Sequence, residues 1–183
     1  MLLDDVYKKI VSFLNKNGYN YLVIGGIAVG VLGEARFTED VDLCLFIKKK
    51  DVLDFLKKAH EEGFSFNKER IKAQMKIAGV FQISIEDFHI DFIIASTDFE
   101  KTALTRRSLI TLHSVSGYFP TPEDMIIFKV IPNRPGDIID AEGIVIRHKG
   151  KLDEKYLISW AQKLSDEAEN MRIYNEVKRL LNL

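Results

Sequence analysis

Asp40 and Asp42 lie two residues apart where an apolar run, residues 41–47, begins. In an extended strand both carboxylates project from the same face. Like charges held side by side repel, and a divalent cation relieves them. Asp91 lies in a second apolar run, residues 88–94. If the two strands are neighbours, it becomes a third carboxylate on the same pocket. Three carboxylates can hold two magnesium ions, which stabilise both the attacking and the leaving oxygen of an in-line phosphoryl transfer. Upstream, Gly25-Gly26 separates the apolar run 21–24 from a short small-residue segment. Between a strand and a helix, backbone amides and a helix N-terminus point outward, where phosphate oxygens bind. A glycine pair followed by a two-acid strand suits a magnesium-bound nucleoside triphosphate. The blander reading keeps the glycines for turn geometry and makes the acids an incidental surface cluster on an unrelated α/β domain.

The elements that must position these residues follow from periodicity. Leu3, Val6, Tyr7, Ile10, Phe13 and Leu14 recur at helical spacing, with Gly18 as a C-terminal cap. A strand over 21–24 ends at the glycine pair and a short helix over 27–32 follows. The run 41–47 alternates, with Val41, Leu43 and Leu45 on one face and Asp42, Cys44 and Phe46 on the other. Residues 50–62 predict a helix with Val52, Leu53, Leu56 and Ala59 as its buried stripe, stopped by Gly63. Runs 80–85 and 88–94 flank Glu86-Asp87 and predict a hairpin. In the second run His89, Asp91 and Ile93 share a face. Another strand is expected at 109–112 or 115–119. Thr121 then caps a helix that opens with Pro122, and helical segments follow at 136–147, 153–164 and 166–181. The fold class is therefore α/β over residues 1–120, with a helical C-terminal part over 121–183 packed on that core.

Apolar residues at 46% and charged residues at 29% exclude a disordered chain. A net charge of −1 excludes a surface that grips nucleic acid everywhere. Residues 48–76 nonetheless hold nine Lys or Arg against five Asp or Glu. That excess reads as a solvated helix face and loop, or as a surface that attracts phosphates. The single cysteine, Cys44, permits neither an internal disulfide nor a cysteine metal site. The N-terminus lacks the pattern of a signal peptide. The nearly apolar stretch 21–33 is too short to span a bilayer and holds four glycines. A cytoplasmic protein with no membrane partner is expected.

Gly25-Gly26, the spacing to Asp40-Val-Asp42, and Asp91 on a later strand resemble the nucleotidyltransferase superfamily related to DNA polymerase beta. Arg36-Phe-Thr-Glu-Asp-Val-Asp42 resembles its small prokaryotic branch of minimal nucleotidyltransferases, abortive-infection type toxins and some antibiotic nucleotidyltransferases. The segment from Thr121 to Lys129 and that from Asn133 to Gly143 resemble the downstream helices of the same branch. The resemblance implies a mixed β-sheet of nucleotidyltransferase type with packed helices. It implies transfer of a nucleoside monophosphate from a triphosphate to a hydroxyl, with magnesium (two ions) as cofactor. Asp40 and Asp42 would bind both metals, and Asp91 the catalytic one while helping to deprotonate or orient the acceptor. Gly25, Gly26, Arg36, Thr38 and Lys129 would contact the nucleotide. The wider superfamily has Gly-Ser at the turn, so the serine contact is lost here and backbone amides must serve.

Each contact has a structural counterpart. Arg36 could only neutralise the acids, Thr38 only enter the strand, and Lys129 only pair with Asp137 or Asp140. His89 could only be hydrogen-bonded in place, and Tyr156 and Trp160 belong to helix packing. The acceptor is open among a small molecule, a tRNA end and a protein. A polymerase working on long duplex does not fit, since no extended basic groove is visible. The alternative is a regulatory protein of toxin–antitoxin type that keeps the nucleotide pocket and acts by binding a protein partner.

Overall fold

A computed structural model describes residues 1–182, with the backbone alone for residues 77 and 78. The chain divides into two compact units, Met1–Ile27 with Phe37–Phe119, and Ala28–Arg36 with Pro120 onward.

In the first unit α1 (Leu3–Lys16) buries Val6, Tyr7, Ile10, Phe13 and Leu14, and the chain turns at Gly18 with φ +66°. Four strands form one sheet among the described residues: β1 (Tyr21–Ile24), β2 (Val41–Leu45), β3 (Val80–Ile85) and β4 (Phe88–Ile94). Their order is β1-β2-β4-β3, with β2 and β4 parallel and both outer pairs antiparallel. A parallel pair needs a long crossover. Here it contains the short 3-10 turn Lys49–Asp51, α3 (Val52–Glu61), α4 (Lys68–Ala78) and β3. The hairpin at Glu86-Asp87 pairs Ile85 with Phe88, and the register runs back from there to Gln82 opposite Asp91.

One sheet face is apolar. Leu43 pairs with Phe92 and Phe92 with Phe81. The Phe81 and Phe92 rings stack at 4.7 Å, and Phe55 of α3 meets both edge-on. The buried stripe of α3 is therefore Val52, Phe55, Leu56 and Ala59. Leu53, assigned to that stripe by periodicity, is 64% exposed. The larger aromatic ring reaches the stacked pair, and Leu53 lies on the outer face. α5 (Asp98–Arg106) and a second hairpin, β5 (Ser108–Leu112) with β6 (Val115–Phe119), complete the unit. Both strand alternatives near residue 110 thus exist, and they pair with each other.

α2 (Gly25–Leu32) starts in the first unit at the glycine pair and continues into the second. The remaining helices of the second unit are α6 (Pro122–Val130), α7 (Pro135–Arg147), α8 (Glu154–Glu167) and α9 (Arg172–Leu181). Thr121 caps α6 by accepting the Asp124 amide, and Pro122 and Pro135 open α6 and α7, where a missing N–H costs nothing. Gly33 lies so close to α7 that a Cβ would fall 2.8 Å from the Ile144 side chain. Arg147 donates to the Gly33 carbonyl at 2.6 Å, joining residues 28–36 to that helix. Asp124, fully buried, accepts from Thr121 Oγ1 at 2.9 Å and from the Tyr156 hydroxyl. No helix among the described residues is long and apolar enough to cross a membrane.

Candidate functional site

The polar face of the first unit's sheet holds a row of four partnered positions. Ile24 pairs with Asp42, Asp42 with Asp91, and Asp91 with Gln82. The row exists because β2 and β4 are adjacent and in register, so two carboxylates distant in sequence come to lie side by side. Gln82 Nε2 donates to Asp91 Oδ1 at 2.7 Å, which fixes the rotation of that carboxylate.

The glycine turn closes the row at β1. Gly25 has φ +66°, a conformation in which a Cβ is strained. A Cβ there would also fall 1.8 Å from Asp42 Oδ2 and 2.6 Å from Asp42 Cβ. The backbone therefore passes directly against the carboxylate. Gly26 is similarly confined, because its Cβ would lie 2.5 Å from Thr38 Oγ1. The sequence candidates Gly25, Gly26, Thr38 and Asp42 are thus brought together in the first unit.

Asp40 stands just before β2 and is half-buried. Burial pushes its carboxyl above the ordinary aspartate value, and repulsion from Asp91 adds to this. His89 opposes the shift and Glu39 reinforces it. Asp40 and Asp91 thus act on each other electrostatically, and a cation between them would lower the energy of both charges. Among the described residues no three His, Cys, Asp or Glu groups stand close enough together to hold an ion. The fit to magnesium does not need such a cage. Magnesium is held by one or two carboxylates, with waters and substrate phosphates as its remaining ligands. Paired hard-oxygen donors at Asp42 and Asp91, with Asp40 under repulsion beside them, match that donor set.

Arg36 and Lys129 converge on a second cluster, inside the second unit. Arg36 grips Asp140 through two parallel bonds, Nε to Oδ1 at 2.8 Å and Nη2 to Oδ2 at 3.0 Å. Lys129 Nζ lies 2.8 Å from Asp137 Oδ1 and 2.9 Å from Asp140 Oδ2. Lys129 and Asp140 are 6% and 5% exposed, so both charges need partners. Burial raises the Asp140 carboxyl, but hydrogen bonds from Arg36 and Lys129 outweigh it and hold the group below its ordinary value. The ion pairing anticipated for Lys129 is present, and Arg36 joins it.

Sequence reading missed Gln82. Its signal was the short hairpin connection, which fixes the register and places Gln82 opposite Asp91.

Residues 2–181 match the protein family described as nucleotidyltransferase of unknown function (DUF6036). No curated protein sequence matches the chain significantly. Among solved structures, ANT(2")-Ia in complex with adenylyl-2"-tobramycin superposes with a TM-score of 0.62 at 15% identity, covering 90% of this chain and 98% of that one. A solution structure of ANT(2'')-Ia gives 0.59 at 13% identity, covering 91% and 94%. The lincosamide antibiotic adenylyltransferase LnuA, lincomycin-bound, gives 0.53 at 12% identity, covering 79% and 96%. At these identities the likeness is one of fold.

Proposed function

The chain belongs to the nucleotidyltransferase family DUF6036, and on that premise we propose that it transfers a nucleoside monophosphate from a nucleoside triphosphate to an acceptor hydroxyl. The observation that carries the reading is the register of β2 and β4, which sets Asp42 beside Asp91 on one sheet face, with Gly25 against Asp42. In the step, the acceptor oxygen bonds to the α-phosphorus and the bond from that phosphorus to the α–β bridging oxygen breaks. Pyrophosphate leaves with the bonding electrons, and the hydroxyl proton passes to a base. We assign that base to Asp91. Gln82 engages its Oδ1, and Oδ2 is the oxygen we assign to the proton.

Asp40, Asp42 and Asp91 are the residues that would hold magnesium. When bound, it supplies Lewis-acid stabilisation of phosphoryl charge. The amides at Gly25 and Gly26 receive phosphate oxygens, since they open α2 and carry no side chain to block the approach. Thr38, packed over Gly26, is a further nucleotide contact in this reading. Lys129 pairs with Asp137 and Asp140 inside the second unit.

Calorimetric titration with ATP, CTP, GTP and UTP in magnesium tests the proposal. Wild-type protein is expected to bind at least one triphosphate, with affinity that disappears without magnesium and in the Asp40→Asn/Asp42→Asn variant. A folded wild-type protein that binds none of the four sinks the reading.

A further inference from the structure

The second hairpin has one edge covered and one edge bare. His113 and Ser114 form its turn with φ +50° and +69°, the left-handed pair of a two-residue connection. The flanking residues, Leu112 and Val115, therefore exchange both backbone bonds, and so do Ile110 with Gly117 and Ser108 with Phe119. The residues between them aim their N–H and C=O groups away from the hairpin: Ser116 and Tyr118 on β6, Leu109 and Thr111 on β5. On β6 these groups are met inside the chain. Asn15 of α1 donates to the Ser116 carbonyl at 2.8 Å, and the Tyr118 backbone bonds the Tyr21 hydroxyl of β1. On β5 the backbone groups of Leu109 and Thr111 meet no partner among the described residues. Both residues are exposed, Leu109 at 62%. Proteins blunt such an edge with a charge, a proline or a bulge. Residues 108–112 hold neither charge nor proline, and their register with β6 is unbroken.

We propose that β5 is an interface for a second copy of this chain, paired antiparallel across a two-fold axis at Ile110. The occupant follows from the symmetry of the strand. With Ile110 facing itself, Leu109 lies opposite Thr111 of the second copy and Thr111 opposite its Leu109. Every outward N–H then meets an outward C=O. Ser108 and Leu112 oppose each other in the same way, so no pair within the strand sets like charges together. Beyond the strand, Arg107 comes opposite His113 of the second copy. Asp4, 3.2 Å from that imidazole, supplies a carboxylate there. The two hairpins merge into one continuous sheet. The inference is independent of the transferase reading.

Sedimentation velocity on the full chain, over a concentration series up to about 1 mM, the weak end of specific association, tests it. Wild-type protein is expected to pass from monomer to dimer as concentration rises. Thr111→Pro removes an outward N–H from each copy and leaves the β5–β6 bonds in place, so the dissociation constant should rise roughly tenfold or more. Thr111→Val keeps that N–H and should dimerise as wild type does. Leu109→Lys puts a charge on the edge and should act in the direction of the proline. Circular dichroism melts report whether each variant is folded, and Leu109→Lys, at an exposed position, carries the test if the proline is not tolerated. Mild oxidation tests the register. Ile110→Cys should cross-link, since that position faces itself across the axis, whereas Leu112→Cys, opposite Ser108 of the second copy, should not. The native Cys44 is buried and takes no part. Wild-type protein that stays monomeric throughout the series overturns the inference. A dimer indifferent to Leu109→Lys and to a folded Thr111→Pro overturns it as well, and so does cross-linking as ready at position 112 as at 110.

Discussion

Asp40 is held in the native state against its own charge. Burial and the neighbouring Asp91 raise its proton affinity above that in the unfolded chain, so around the carboxylate range the folded protein binds more protons than the unfolded one. Stability then falls as pH rises from below the ordinary aspartate value through the raised one. Asp40→Asn removes that loss. In metal-free buffer the variant should melt higher than wild type at pH 7, and the gap should close at about pH 3, where both states are protonated. Thermal melts at the two pH values measure this, and a variant melting at or below wild type at pH 7 would refute it. Asp40, Asp42 and Asp91 stood out as candidates because an acid in or just before an apolar strand is conspicuous by residue type. Gln82 was not, since a glutamine on a half-buried face becomes informative only when register puts Asp91 opposite. Nor could residue type reveal that Arg36 shares Asp140 with Lys129, because that pairing depends on where α7 lies.

The β1–α2 turn shows how an element sets the site. Gly25 takes a left-handed backbone conformation and leaves no room for a Cβ, since the space is filled by Asp42. Gly25→Ala should cost about 1–2 kcal/mol in backbone strain alone, and must also move Asp42 away from the turn. Urea denaturation should show the lost stability, and calorimetry should show weaker magnesium–triphosphate binding at temperatures where the variant is folded. Unchanged binding would mean that the turn does not position Asp42. Elements with strong periodicity were readable: the bounds expected for β1, β3 and β4 are those observed. α4 and α5 were not read. Ile71 is buried but stands among Lys68, Glu69, Arg70 and Lys72, so the first turns of α4 read as a charged stretch. α5 buries Phe99 and Ala103, yet Thr97 and Glu100 form a capping box that was present in the sequence as a start signal.

At the scale of the whole molecule, the division of the chain was only half legible. The shift from mixed to all-helical composition near residue 120 marks one boundary. The assignment of residues 28–36 to the helical unit depends on contacts made more than a hundred residues later, at Asp140 and Arg147. No local pattern encodes such contacts. The Arg36–Asp140–Lys129 cluster is therefore where the second unit's separate segments are joined by charge, and its removal should be felt throughout that unit. Asp140→Ala leaves Lys129 buried with Asp137 alone and Arg36 without its bidentate partner, a loss of about 3 kcal/mol. For a chain of this length that corresponds to a melting point lower by roughly 6–12 °C. Trp160, the one tryptophan, lies on α8 in the same unit, so its fluorescence reports the transition. Because the folded Asp140 carboxyl is held below its unfolded value, its contribution is present at neutral pH and lost as pH falls through the folded value. The difference between Asp140→Ala and wild type should therefore be full at pH 7 and shrink in acid. An unchanged Trp160 midpoint at pH 7 would show that the cluster does not hold residues 28–36 in place.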